Sequence, residues 1–89
     1  MDTVFKALAD KNRRKILSIL KRKDMTVTEI GEHFEFTGAT LSHHLDALKR
    51  ANLVITERRG QFIVYSLNTS VAEEVMKMFL NLFPPAKKL

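Results

Sequence analysis

The polar side chains with the clearest chemical use lie in one predicted helix, residues 37 to 50 of the 89-residue chain. Its leucines recur at helical spacing and define one narrow arc, which leaves Ser42 and His43 on the opposite face. A hydroxyl and an imidazole can form hydrogen bonds at base edges in a major groove, where small neighbours let the helix backbone approach closely. The leucines are Leu41, Leu45 and Leu48, and the outward residues are Ala39, Ser42, His43, Asp46 and Arg50. An ordinary amphipathic helix with a solvated face would show the same pattern, so this face alone decides nothing.

Two arginines form the second candidate group. Arg58 and Arg59 lie between two runs rich in β-branched and aromatic residues, 53–56 and 62–67. These runs predict a β-hairpin in which Gly60 supplies the unusual φ of the turn. Guanidinium groups at the tip of a hairpin can straddle phosphates or enter a minor groove. A solubilising turn is the competing interpretation, because exposed charge on hairpins is common.

Two helices are predicted at the start of the chain. Asp2 can cap the first helix, and Asp10 can cap the second, which ends near Lys23. The apolar positions at helical spacing are Val4, Phe5 and Leu8 in the first, and Ile16, Leu17 and Leu20 in the second. Both helices therefore have one face to bury.

A capping box, Thr26 followed by Glu29, opens a third predicted helix. A few connecting residues lead to Thr37, whose hydroxyl can cap the helix that continues to about Arg50. Two short helices joined this tightly predict a helix-turn-helix. A hairpin with two arginines directly after a helix-turn-helix is much more specific than either part, and it favours duplex DNA as the partner.

A last helix is predicted from a second possible capping box, Ser70 with Glu73, to Phe83, where two prolines follow. Residues 75 to 83 are apolar except for one lysine and one asparagine. Such a helix must be covered on more than one side, and a domain of this size has too little material to do so alone. The pattern predicts a homodimer, although the apolar face could instead pack wholly against its own core.

Length and composition limit the possibilities. Eighty-nine residues with 45% hydrophobic content suit one domain, residues 1–89, that includes the N-terminal and C-terminal dimerisation helices. The net charge of +5 favours a polyanionic partner, although basic runs are usually solvated helix faces. The lack of cysteine removes thiolate metal sites and disulfides. No run approaches the roughly 18 apolar residues of a membrane span, so we expect a soluble, cytoplasmic protein without membrane insertion.

The sequence resembles the ArsR/SmtB family of winged-helix repressors along nearly its whole length. The matching motifs are FKALAD and RRKIL near the start, TGATLSHHL in the fourth predicted helix and RGQFIVYSL in the hairpin. Within the family the chain is most similar to the SdpR-type autorepressors. The resemblance implies a mainly α fold with a β-hairpin wing, a winged helix-turn-helix of about five helices and two strands, with the hairpin between the fourth and fifth helices. It also implies a homodimer through the first and last helices, acting as a sequence-specific repressor on an inverted-repeat operator in double-stranded DNA.

The predicted contacts fall into two groups. By resemblance, Gly38, Ala39, Ser42 and His43 stand where family members contact bases or nearby phosphates, and Arg58 and Arg59 stand in the wing. The full set of predicted DNA contacts is Gly38, Ala39, Thr40, Ser42, His43, Arg50, Arg58 and Arg59. The predicted dimer interface is Val4, Phe5, Leu8, Val75, Met78, Phe79 and Leu82.

Many relatives release DNA on binding a metal, through thiolates in the third helix or His and carboxylate clusters in the last. This sequence has neither pattern, so we predict no metal and no cofactor. His33, His43 and His44 are each interpreted as a solvated or base-contacting imidazole. Titration of His43 near pH ~6.5 is a hypothesis for a pH-dependent DNA affinity.

Other functional classes fit the same residues less well. An enzyme is not expected, because no glycine-rich phosphate loop or metalloenzyme spacing is present. A protein-interaction module or a nonspecific DNA binder remains the alternative, since a fold does not fix a function. A regulatory protein, a small molecule and simple autoregulation by concentration all remain open as the signal.

Overall fold

The computed structural model describes residues 1–83 and 85–86. Its elements follow the predicted order of four helices, a hairpin and a final helix. The helices are α1 (Asp2–Leu8), α2 (Lys11–Leu20), α3 (Val27–Gly31), α4 (Gly38–Arg50) and α5 (Thr69–Leu82), and the strands are β1 (Met25–Thr26), β2 (Val54–Arg59) and β3 (Phe62–Leu67). The fold is a mainly helical winged helix-turn-helix, as predicted.

A short third strand is the main addition to the predicted architecture. β1 pairs antiparallel with β3, Met25 opposite Tyr65, and the sheet order is β1-β3-β2. Two residues show no readable alternation, so this strand exists only because β3 offers it a partner. The pairing holds the residues directly before α3 against β3 of the hairpin.

Local caps place the helix starts where side-chain oxygens can accept from free backbone N–H groups. Asp10 accepts from the N–H of Asn12 at 2.8 Å and of Arg13 at 3.1 Å. Thr26 and Glu29 form the predicted capping box, with Glu29 Oε1 accepting from the Thr26 N–H at 2.9 Å. The backbone hydrogen bond from Thr26 is the main reason that the pKa of Glu29 lies below its usual value.

Two predicted caps are wrong. Asp2 is the first helical residue of α1 and accepts no capping hydrogen bond, because the N-cap is Met1. α5 begins one residue before Ser70, with Asn68 as its N-cap, so the proposed box of Ser70 and Glu73 does not form. The Asn68 side-chain amide instead donates to the carbonyl of Asn52 at 2.9 Å. Of the two prolines after this helix, Pro84 lies outside the described residues.

The core lies among the five helices and the base of the hairpin. Its fully buried side chains are Ile16, Ile30, Leu45 and Leu48. A left-handed Asn52, with φ of 57°, follows the C-cap of α4 and ends that helix. The N–H of Asn52 bonds the Lys49 carbonyl at 2.9 Å and that of Leu53 bonds the Leu48 carbonyl at 3.0 Å, a Schellman motif. The chain thereby turns sharply from α4 into the hairpin.

Candidate nucleic-acid interface

α4 presents one buried side and one exposed side. Thr37 caps its start, accepting from the Thr40 N–H at 3.3 Å. The buried side packs against α1, α2 and β2. The buried residues are Leu41, His44, Leu45 and Leu48, and the predicted DNA contacts Gly38, Ala39, Thr40, Ser42, His43 and Arg50 are all exposed. The structure therefore gathers these six residues on the solvent side of one helix.

The first turn of this exposed side is small. Gly38 has nothing within 4 Å of the position that a Cβ would occupy, and Ala39 adds only a methyl group. A backbone with so little side chain around it can approach a groove floor closely. Ser42 and His43 follow one turn later with polar atoms free to reach base edges.

Asp46 also lies on the exposed side of α4. Burial raises the pKa of Tyr65 in β3, and the carboxylate of Asp46 raises it further. The carboxylate of Asp46 on α4 is therefore close enough to the sheet for its charge to act on the buried phenol of Tyr65. Its negative charge opposes phosphate contact at that edge of the helix.

The arginine wing differs in detail from its prediction. Arg58 and Arg59 end β2 instead of occupying the turn, which is reduced to Gly60 and Gln61. Gly60 has φ of 61°, as expected for a tight hairpin turn. Because neighbouring strand residues point to opposite faces, the two guanidiniums leave opposite sides of the ribbon. This arrangement suits contacts on both sides of a groove.

Each wing arginine has one weak internal partner. Arg58 Nε donates to the Gly60 carbonyl at 3.2 Å, and Arg59 Nη2 lies 3.3 Å from Glu57 Oε2. Both side chains are exposed, and an exposed ion pair of this kind contributes little. The guanidiniums therefore remain available to a stronger anionic partner.

His44 is not a solvated or base-contacting imidazole, contrary to the prediction. It is only 6% exposed, and its Nδ1 accepts from Arg13 Nε at 3.2 Å. The accepting Nδ1 places the ring proton on Nε2. A signal for its burial existed in the sequence, because Leu41, His44, Leu45 and Leu48 follow the i, i+3, i+4, i+7 spacing of one helix face. His33 and His43 are exposed as predicted.

No metal-binding cluster of three or more His, Cys, Asp or Glu side chains is found among residues 1–83 and 85–86. Within the same residues, no helix is both long and apolar enough to span a bilayer.

The predicted dimer residues divide between core and surface. Val4 and Val75 are buried in the protomer's own core, so they have little surface left for a partner. Phe5 and Phe79 bring α1 and α5 together, with ring centroids 6.0 Å apart in an edge-to-face contact. Leu8 and Met78 are half-buried, whereas Phe79 and Leu82 are exposed. The exposed apolar surface also includes three residues that were not predicted, Met76, Leu80 and Phe83.

Comparison with known proteins agrees with this geometry. The model of the bacterial regulatory proteins of the arsR family matches residues 10–56, from the cap of α2 into β2. The transcriptional repressor SdpR of Bacillus subtilis is 49% identical over 81 residues, which are 91% of this chain and 90% of SdpR. The chain belongs to the bacterial arsR family. It is a DNA-binding transcriptional regulator with a winged helix-turn-helix fold.

Solved structures resemble this arsR-family regulator over most of its length. An ArsR-like transcriptional regulator from Rhodococcus sp. RHA1 superposes with a TM-score of 0.83 at 25% identity, covering 91% of this chain and 76% of that one. A homodimeric winged helix-turn-helix DNA-binding domain from Mycobacterium bovis superposes with a TM-score of 0.75 at 26% identity, covering 99% of this chain and 84% of that domain. The matches extend through α1 and α5, outside the region of the family model.

Proposed function

We propose that the chain is a repressor that binds an inverted-repeat operator as a homodimer, with α4 in the major groove and the wing on adjacent backbone. The observation that carries this proposal is the exposed side of α4, which is small at its first turn and polar at Ser42 and His43. A protein-binding helix would instead expose large apolar anchors. The similarity to the repressor SdpR supports repression as the outcome.

Dimerisation is supported by the shape of the protomer and its exposed apolar surface. The radius of gyration is 14.7 Å, whereas a compact domain of this length has about 12 Å. Large apolar side chains on α5 and just after it, Met76, Phe79, Leu80, Leu82 and Phe83, are 45–66% exposed. We propose that a second copy covers this surface; the similar domain from Mycobacterium bovis is homodimeric. A two-fold axis would place the two α4 helices about one DNA turn, roughly 34 Å, apart.

The same proposal treats residues 1–89 as one domain, in which α1 and α5 serve dimerisation. It places the protein in the cytoplasm with its DNA, and it assigns the chain no catalytic role.

The test is binding to duplex DNA from the chain's own upstream region, compared with random duplex across a salt series. Specific recognition predicts a preference of about 10³-fold or more and a steep salt dependence on both DNAs. A lack of preference would reject operator recognition and leave a nonspecific binder or a protein-interaction module.

Two pairs of substitutions separate the roles of helix and wing. Ser42→Ala with His43→Ala should reduce the preference for the operator, because these side chains are proposed to reach base edges. Arg58→Gln with Arg59→Gln should weaken binding on all sequences and reduce the salt slope by about one for each phosphate that is no longer neutralised. Lys21→Gln, which removes one exposed charge from the end of α2, is the control.

A further inference from the structure

Arg13, in the first turn of α2, forms hydrogen bonds with two other helices. Its Nη1 donates to the Lys6 carbonyl of α1 at 3.3 Å, and its Nε donates to Nδ1 of His44 in α4 at 3.2 Å. Its own backbone N–H donates to the carboxylate of Asp10, the N-cap of α2, at 3.1 Å. One guanidinium therefore connects α1 to α4, and the cap of α2 holds the residue that carries it.

Both acceptors need a donor from outside their own helix. Lys6 lies in the last turn of α1, where backbone carbonyls no longer find a helical N–H four residues further on. Cationic side chains commonly bond such carbonyls. His44 is only 6% exposed, so its Nδ1 has little access to water, and Arg13 supplies its donor. Loss of that donor would leave a buried acceptor unsatisfied, which is costly.

The residues beside the two acceptors belong to the two surfaces of the proposed function. Phe5, next to Lys6, packs against Phe79 of α5, whose ring forms part of the exposed apolar surface. His43, next to His44, lies on the exposed side of α4. The guanidinium thus lies between the helices proposed for dimerisation and the side of α4 proposed to contact bases.

Apolar contacts also hold α1 and α4 together, but they carry little directional information. Val4 and Ala7 of α1 belong to the same core as Leu41 and Leu45 of α4. The hydrophobic effect depends on buried area and is non-directional. A hydrogen bond weakens steeply when its angle departs from linearity, and the donors of a guanidinium have fixed directions in one plane. Arg13 therefore defines the rotation of α4 relative to α1 more sharply than the apolar contacts do.

We propose that Arg13 is a positioning residue that couples α1 to α4 and thereby sets the half-site spacing that the dimer accepts. The proposal rests on the proposed function, namely dimerisation through α1 and α5 and the placement of α4 in the major groove. A two-fold axis fixes the distance between the two α4 helices only if each α4 is fixed relative to its own dimerisation helices. Arg13 itself is not placed against DNA.

Arg14 offers a matched control in the same turn of α2. Its Nη1 donates to the Leu8 carbonyl of α1 at 2.8 Å, and among the residues that the structure describes none of its hydrogen bonds reaches α4. Arg14→Met removes the same charge from α2 and a bond of the same kind to α1. The connection to α4 stays intact in this variant, so only Arg13→Met tests it.

The experiment compares operators that differ in the distance between their half-sites. The operator comes from the upstream duplex with the highest affinity, with its half-sites located by footprinting, and two base pairs are inserted or removed between them. Two base pairs move one half-site by about 7 Å and rotate it by about 70°. For the unmodified protein we expect the original spacing to bind about 10²-fold more tightly or better, because one α4 otherwise loses its bases.

Arg13→Met should lower this spacing preference about tenfold, the scale of one hydrogen bond to a charged group. Arg14→Met should keep the preference of the unmodified protein. Affinity for random duplex should fall by a similar factor in both variants, since each loses one positive charge. All affinities are measured well below the thermal midpoint of each variant, where a residue that only stabilised the fold would leave the spacing preference unchanged.

Substitutions at His44 test the other end of the bond. His44→Asn offers an amide oxygen near the position of Nδ1 and should keep most of the spacing preference. His44→Leu has a similar volume but no acceptor, so it should lower the preference as Arg13→Met does. Combining His44→Leu with Arg13→Met should add little to either change, because both remove the same bond. The two His44 variants decide the question if Arg13→Met is not folded at the binding temperature.

The outcomes separate this inference from the proposed function. Arg13 as a positioning residue is rejected if Arg13→Met keeps the full spacing preference, if Arg14→Met loses as much, or if His44→Asn behaves as His44→Leu does. Strong operator binding that ignores spacing in the unmodified protein would overturn the two-fold arrangement. A protein with no operator preference at any spacing would overturn the proposed function itself, and with it this inference.

Discussion

Phe79 is the side chain on which the proposed dimer can be tested most directly. It lies on α5, 45% exposed, with its ring edge against Phe5 of α1. Met76 and Leu80 extend the same apolar surface on either side of it. Replacing Phe79 with alanine removes one of the two aromatic rings that join the two proposed dimerisation helices.

The expected change in the dimer dissociation constant follows from the exposed area of the Phe79 side chain. A phenylalanine has about 200 Å² to bury, so the exposed 45% corresponds to about 90 Å². At about 25 cal/mol per Å², covering this area contributes about 2 kcal/mol per copy. A two-fold interface contains the residue twice, which gives about 4 kcal/mol, or about 10³-fold in the dimer dissociation constant. Because only part of the free energy expected from buried area appears in the affinity of an interface, we expect Phe79→Ala to raise the dimer dissociation constant by at least about 10²-fold.

Sedimentation equilibrium over a concentration series measures this constant. Lys77→Ala is the matched control, since it truncates an exposed long side chain on the polar strip of the same helix and should leave dimerisation unchanged. Circular dichroism should show that Phe79→Ala stays folded, because the ring is only partly buried. A dissociation constant for Phe79→Ala equal to that of the unmodified protein would refute α5 as the interface.

Three further predictions concern single residues whose backbone or cap is seen in the structure. Gly60→Ala should lower the free energy of unfolding by about 1 kcal/mol in urea titrations, because φ is 61° there, whereas Gly60→Asn should cost less; equal losses would contradict a conformational cause. Gly38→Ala should raise the free energy of unfolding by about 0.5 kcal/mol, because Gly38 opens α4 with free space around it. The same variant should bind the operator less tightly in a titration, and unchanged affinity would show that the backbone does not approach the groove closely. Asp10→Ala should lower the free energy of unfolding by about 1 kcal/mol at neutral pH, because the cap of α2 is removed. Since the pKa of Asp10 is lowered in the folded state, its stabilisation is present above the unfolded value of about 3.9 and is lost as the pH falls through the folded value. Asp10→Ala should therefore flatten the acid limb of a stability-against-pH curve, and an unchanged limb would contradict the assignment.

The start of each of the three middle helices could be predicted from the sequence because its cap is a local interaction. Asp10, Thr26 with Glu29, and Thr37 bond backbone groups two or three residues away, so spacing alone locates them. The failures at Asp2 and Ser70 have a local cause too. Helix ends vary by a residue or two, so a residue predicted as the N-cap can lie inside the helix instead, as Asp2 and Ser70 do.

The exposed side of α4 was also predictable, since helical periodicity separates Ser42 and His43 from the leucines. The same spacing places His44 on the leucine side, but it does not identify the hydrogen-bond partner that a buried imidazole requires. His44 is buried because Arg13, 31 residues earlier in the chain, supplies its hydrogen bond, and no local pattern encodes that pairing.

The sequence by itself determined the order of the elements, the caps of the middle helices and the polar side of α4, because these depend on neighbours within a few residues. Only the tertiary structure decided that β1 pairs with β3, that Val4 and Val75 belong to the protomer's own core and that Arg13 holds His44. Those outcomes depend on contacts between distant segments, whose geometry is set when the helices and sheet pack together.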